Sequence, residues 1–119
     1  MKLSEIIEKL SATEIYTIPE ANPDATTVCA ADFLSDILAT KKRNFVILTG
    51  YTNQQVIRTA DIVGAVAVVF VRGKYPPAET IGLAKAHGIP LYVSSDPMFE
   101  SCVKLAGIMS VTYEREQRV

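Results

Sequence analysis

The run Val66-Ala67-Val68-Val69-Phe70-Val71 is apolar without a break and rich in β-branched residues. Such a run reads as a strand buried on both faces, the habit of strands inside a parallel sheet. Two further apolar runs, Phe45 to Leu48 and Ile89 to Val93, read as strands of the same kind. Between and after them the pattern changes to helical spacing. From Gln54 the apolar positions are Val56, Ile57, Ala60 and Val63, and Gly64 stops the helix. Glu79 to His87 carries Ile81, Leu83, Ala84 and Ala86 before Gly88. Ser94-Ser95-Asp96-Pro97 opens a last helix with Met98, Phe99, Cys102, Val103 and Ala106, ended by Gly107. The stretch from Phe45 to Gly107 is therefore strand–helix three times over. That alternation predicts a parallel sheet, right-handed crossovers and helices on the sheet faces.

The N-terminal third adds to this. Leu3, Ile6, Ile7 and Leu10 share one face of a short amphipathic helix. Glu14 to Ile18 reads as a strand ended by Pro19, and Asn22-Pro23-Asp24 as a turn. Thr26 to Ala30 is a second strand, so this third supplies a strand pair or a strand–helix unit. Asp32 is placed to cap a helix whose apolar face is Phe33, Leu34, Ile37 and Leu38, with Lys41-Lys42-Arg43 closing it. After Ser110, Val111-Thr112-Tyr113 reads as a short edge strand before a charged end that frays. The expectation is one α/β domain over residues 1–119, with a mainly parallel sheet and helices on both faces.

Composition removes several classes of function. A formal net charge of −1 argues against an electrostatic nucleic-acid binder. No apolar run approaches the ~20 residues that span a bilayer, and the charged, periodic start does not read as a signal peptide. Cys29 and Cys102 form no C-x-x-C pair, and the single His87 cannot complete a zinc site of the usual kind. These features point to a cytoplasmic protein without metal or cofactor. The phosphate-binding G-x-x-x-x-G-K-[ST] loop, the G-x-G-x-x-G fingerprint and the G-x-S-x-G elbow are all missing. No Asp ends the Phe45–Leu48 strand to accept a phosphoryl group. No residue is assigned a catalytic role.

In open α/β sheets ligands bind outside the carboxyl ends of the strands. Three polar turns fall there: Thr49-Gly50-Tyr51-Thr52-Asn53, Arg72-Gly73-Lys74 and Ser94-Ser95-Asp96. Two lead into helices, whose free amides and positive dipole end favour an anion. Gly50 and Gly73 permit close backbone approach or positive φ, and Arg72 and Lys74 could neutralise a phosphate or carboxylate. The candidate ligand-binding residues are Thr49, Gly50, Thr52, Asn53, Arg72, Gly73, Lys74, Ser94 and Ser95. Elsewhere plainer roles are expected. His87 caps helix-end carbonyls, Cys29 and Cys102 are small core residues, and Asp32 and Asp36 cap or lie on a solvated face. Met98 and Phe99 belong to the core, or to a partner contact if a dimer forms.

Val28-Cys29-Ala30-Ala31-Asp32-Phe33-Leu34-Ser35-Asp36-Ile37-Leu38 resembles the Asp-Leu-Leu-Ser-Asp-Val-Leu stretch of the DRTGG-domain family. Thr49 to Asn53, Val69 to Lys74, and Gly88-Ile89-Pro90-Leu91 with Met98-Phe99-Glu100 are similar to later segments of its small stand-alone members. The likeness runs from about Met1 to Gly107. The chain departs from the naming motif itself. Tyr51-Thr52 stands where Asp-Arg follows the Gly, and of the later Thr-Gly-Gly only Gly73 remains, in Val71-Arg72-Gly73. The resemblance implies a non-catalytic regulatory or interaction module that pairs as a homodimer. DRTGG domains accompany CBS domains in nucleotide-regulated pyrophosphatases and precede phosphate acetyltransferases. Short members occur in anaerobes, often encoded near iron-only hydrogenases, which implies a hydrogenase-associated protein partner. Some are labelled HPr-kinase-like, a label this chain does not support without the phosphate-binding loop. The alternative is a sensor that binds an adenine nucleotide or another anion at the carboxyl ends of the strands.

Overall fold

β3 (Val46–Thr49) and β4 (Ala67–Phe70) pair in parallel, and all eight of their residues are withdrawn from water. β2 (Val28–Ala30) joins β3 on one side and β5 (Leu91–Val93) joins β4 on the other, both in parallel. β1 (Thr13–Tyr16) closes the far side antiparallel to β5, giving the order β1-β5-β4-β3-β2. The computed structural model describes residues 1–109. The expected edge strand at Val111-Thr112-Tyr113 lies outside the described residues.

Strands β2 to β5 are laid down in one direction across the sheet. Right-handed crossovers then put every connecting helix on the same face. These are α2 (Leu34–Leu38), α3 (Gln55–Val63) and α4 (Ala78–His87). Ile37, Val56, Ile57, Ala60 and Ala84 pack there against Ile47, Val68, Phe70 and Leu91. The opposite face has no crossover to cover it. It is sealed by the two helices outside the repeating unit, α1 (Leu3–Leu10) and α5 (Met98–Ala106). Leu3, Ile6, Leu10 and Leu105 meet Val46, Leu48, Val69 and Tyr92. Neighbouring sheet residues thus serve opposite cores, the period-two alternation of a strand. The expected α/β domain, mainly parallel with helices on both faces, is what the chain forms. No helix among the described residues is long and apolar enough to cross a membrane.

The N-terminal third differs from expectation in detail. β1 and β2 are not a pair but occupy opposite edges of the sheet, and only β2 with α2 makes a strand–helix unit. β1 stops at Tyr16 rather than Ile18, and β2 begins at Val28 rather than Thr26. The Thr26 hydroxyl instead donates to the Arg43 carbonyl at 2.7 Å. α2 is only five residues long and its N-cap is Phe33, not Asp32. Of its expected apolar face only Ile37 is fully buried, while Phe33 is 73% and Leu38 48% exposed. Lys41-Lys42-Arg43 lies beyond its end, in the loop before β3. Gly64 and Gly88 end α3 and α4 in the left-handed region, whereas Gly107 follows α5 at φ −72 without it. His87 faces Asp61, Nδ1 to Oδ2 at 3.6 Å, rather than capping carbonyls. Phe99 is 73% exposed, so it is not a core residue.

Cys29 and Cys102 are unpaired and half-buried against the two cores. Burial pushes both thiols above their ordinary 9.0. At Cys29 the nearby Lys42 works against that rise and Asp36 adds to it. As pH climbs through this region the unfolded chain releases its thiol protons first. It then binds fewer protons than the folded chain, so stability falls as pH rises.

Two outcomes follow for the core. Phe70→Ala should cost about 3–5 kcal/mol of unfolding free energy in urea, whereas Phe99→Ala should change it by about 0.5 kcal/mol or less. Ellman's reagent at about pH 7 should label the native thiols more slowly than a free cysteine. The loss of urea resistance between about pH 7 and pH 10 should shrink when both cysteines are replaced by alanine.

Candidate functional site

The parallel run of β2 to β5 brings four chain exits to one edge of the sheet: after Ala30, Thr49, Phe70 and Val93. All nine residues singled out from the sequence lie in these exits. Thr49 is fully buried. Its hydroxyl accepts from the Tyr51 N–H at 3.1 Å, and its carbonyl accepts from the Val71 N–H at 3.0 Å. The Gly50 N–H donates to Asp32 Oδ1 at 2.8 Å. A β-carbon on Gly50 would sit 2.9 Å from Arg72 Nη2 and 3.3 Å from Asp32 Oδ1. A β-carbon here would displace the free end of the exposed Arg72 side chain and crowd Asp32 Oδ1. A carboxylate from the β2 exit and a guanidinium from the β4 exit close on the Gly50 α-carbon.

The β4 exit is tied down from the β5 exit. Arg72 has φ +59, a left-handed conformation that costs a non-glycine residue roughly 1 kcal/mol or more. Two short hydrogen bonds hold it there: the Arg72 N–H to the Asp96 carbonyl at 2.8 Å, and the Gly73 N–H to the Ser94 carbonyl at 2.7 Å. Gly73 is also left-handed, at φ +64, where the lack of a side chain matters. The Lys74 N–H returns to the Val71 carbonyl at 3.2 Å. Asp96 in turn pairs with Lys104 on α5. The Ser94 hydroxyl is buried, 3.5 Å from the Leu10 carbonyl, whereas Ser95 is exposed.

The turn after β3 is equally committed. The Thr52 carbonyl accepts from the buried Thr80 hydroxyl at 2.7 Å. Asn53 Oδ1 accepts from the Gln55 N–H at 2.9 Å, and the Asn53 carbonyl from the Val56 N–H at 3.0 Å. The first amides of α3 are therefore satisfied within the chain, like those of Gly50, Arg72 and Gly73. A helix terminus with occupied donors has lost most of its appeal to an anion. What this edge leaves exposed is side chains. Arg72 and Lys74 supply charge, and both are exposed.

Sequence reasoning missed two parts of this edge. The first is Asp32, whose carboxylate serves Gly50 across the sheet instead of its own helix. The second is a set of exposed aromatic rings, one from each exit: Phe33 (73%), Tyr51 (39%), Tyr75 (64%) and Phe99 (73%). The signal was present, since each ring follows the end of a parallel strand by only a few residues. No cluster of three His, Cys, Asp or Glu side chains fit to hold a metal ion occurs among the described residues. Gly50→Ala should lower stability by about 0.5 kcal/mol in urea, because the exposed end of Arg72 swings aside and Asp32 gives by a few tenths of an ångström. Combining it with Arg72→Ala should recover part of that loss, which a double-mutant cycle will measure.

No protein-family model matches the sequence, and no curated protein matches it. A search of solved structures finds the CBS and DRTGG domains of the regulatory region of a Clostridium perfringens pyrophosphatase, complexed with its activator diadenosine tetraphosphate. The TM-score is 0.69 at 17% sequence identity, and the match covers 87% of this chain. It covers 45% of that chain, so the present sequence spans a little under half of the regulatory region it resembles. At this identity the likeness is one of fold, and the fold of this chain is DRTGG-like.

Proposed function

We propose that this chain is a non-catalytic regulatory or protein-interaction module of the DRTGG-domain kind, cytoplasmic and active as a homodimer. The observation that carries this reading is the aromatic edge. Four exits in succession each present an exposed ring, with Arg72 and Lys74 between them. Aromatic residues and arginine are the types that concentrate where proteins meet. The fold shared with a pyrophosphatase regulatory region supports a regulatory role over a catalytic one. A hydrogenase-associated partner remains the family-level proposal for what such a dimer serves.

A second reading is favoured by one specific arrangement. The Arg72 guanidinium is held beside Gly50, with Lys74 next in line and the rings of Tyr51 and Tyr75 exposed on the flanking turns. A guanidinium with aromatic rings on the flanking turns suits an adenine nucleotide, whose phosphates want cations and whose base wants a ring to stack on. The structural neighbour was solved with a dinucleoside polyphosphate, which supports testing that class. The same edge would then act as a small-ligand sensor, and ligand could change dimerisation only by binding the two states unequally.

Sedimentation equilibrium at micromolar concentration should return about twice the 13.0 kDa monomer mass. The double variant Phe33→Ser and Phe99→Ser should shift it toward monomer, and a clean monomer from the unaltered chain would remove the dimer. A thermal-shift series with adenine nucleotides tests the sensor. A nucleotide at about a hundred times its dissociation constant should add about 2.7 kcal/mol of stability, and Arg72→Ala should abolish that gain. No shift with any adenine nucleotide or with phosphate would retire the second reading and leave the first intact.

A further inference from the structure

The loop from α2 to β3 carries Lys41-Lys42-Arg43, a run of cations that the aromatic edge does not use. The loop leads into β3, so it lies at the opposite end of the strands from the exits. Its backbone is tied to the approach to β2. The Thr26 hydroxyl holds the Arg43 carbonyl, and the Thr26 N–H donates to the Asn44 carbonyl at 2.8 Å. Asn44 turns the chain at φ +54, and the Lys42 N–H donates to the Thr40 hydroxyl at 3.3 Å. Lys41, Lys42 and Arg43 are all exposed, and none makes an ion pair among the described residues.

Cations just beyond the end of a helix have a plain use, since they offset its dipole. The apolar side chains beside these cations have no such use. A cleft of about 240 Å³ opens between the loop and the end of α3. Leu38, Ile62 and Val63 line it together with the three cations, and no carboxylate does. Ile62 is 74% exposed, standing off the face that α3 turns inward through Val56, Ile57 and Ala60. Arg58, also exposed and without an ion pair among the described residues, stands one turn before it. Two carboxylates belong to the same helices. Asp36 and Lys42 act on the Cys29 thiol in opposite directions, and Asp61 faces His87. The surface around the cleft keeps an excess of positive charge.

Charge and shape together select the occupant. The cleft is smaller than the roughly 300–1,000 Å³ of small-molecule sites, and suits a single aliphatic side chain. It is a hollow, which a side chain enters and a flat bilayer does not. No aromatic ring lines it for a base to stack on. We propose that this cleft docks an acidic segment of a partner protein, with one aliphatic side chain seated between Leu38 and Ile62 and its carboxylates on Lys41, Lys42 and Arg43. An apolar centre inside a charged rim is the ordinary build of a protein contact. The surface is separate from the aromatic edge and rests on neither the dimer nor the nucleotide reading.

The test pans a displayed library of random short peptides against the full chain, then measures the enriched peptides by fluorescence anisotropy at low salt. Enriched sequences should carry several Asp or Glu around one Leu, Ile, Val or Met, and binding should saturate at one peptide per chain. Raising salt from about 50 to about 300 mM should weaken it about fivefold or more. Ile62→Ser should weaken it about tenfold, and Lys41→Ser with Arg43→Ser at least as much. These positions are exposed, so the variants should keep the unfolding midpoint of the unaltered chain. The proposal falls if no acidic peptide is enriched, or if the folded variants bind as tightly as the unaltered chain. It falls if serine in place of the aliphatic anchor costs no affinity, because charge alone then explains the binding. Tighter binding of phosphatidylcholine vesicles containing phosphatidylserine, or of single-stranded DNA, overturns it in favour of those ligands. A lower sedimentation mass for Ile62→Ser overturns it too, because the cleft would then hold a second copy of this chain.

Discussion

The structure depends on taking β3 and β4 wholly out of water. Their eight residues need cover above and below, and their backbone groups need ladder partners on both sides. Each fully buried Val, Leu, Ile or Phe contributes about 1.5–3 kcal/mol relative to exposure. A single layer of helices would leave half of that surface wet. The crossovers can supply only one layer, because right-handed connections moving one way across a sheet all fall on one face. The second layer must come from outside the repeating unit. This gives α1 and α5 their place, and the chain continues from α1 into β1 at the β5 edge.

The same parallel arrangement creates the candidate site. Four exits leave one edge together, and the chain knits them to one another before any ligand is involved. Asp32 reaches across to Gly50, while the backbone of Arg72-Gly73 is tied to the carbonyls of Asp96 and Ser94. Strain in the Arg72 backbone is held by these bonds, and its guanidinium lies beside Gly50. Hydrogen-bond donors that might have met an anion are consumed in building the edge. What faces outward is a set of side chains: two cations and four aromatic rings.

Much of this was legible in the chain. The uninterrupted apolar run at Val66–Val71, with its two companions, announces strands buried on both faces, and the alternation with helical patterns announces a parallel sheet. Gly64 and Gly88 end their helices as glycines at such positions do. The illegible parts lie where local signals were weak or had two uses. Asp32 before an apolar segment reads as a cap, and only the neighbouring strand reveals that its carboxylate is better used on Gly50. Phe33 reads as core, and Phe99 as core or partner contact, because helical spacing cannot tell a face turned inward from one left outside.

The sequence by itself determined which segments are strands and which are helices, because burial periodicity is a local property of the chain. It likewise determined that β3, β4 and β5 run the same way, since a helix between strands leaves little choice, while the direction of β2 was left open. Only the tertiary structure decided which face each helix covers, that β1 joins β5 instead of β2, and which polar groups at the exits remain available. Those outcomes rest on contacts between residues far apart in sequence. Asp32 with Gly50, and Arg72 with Asp96, become neighbours only after the sheet has formed.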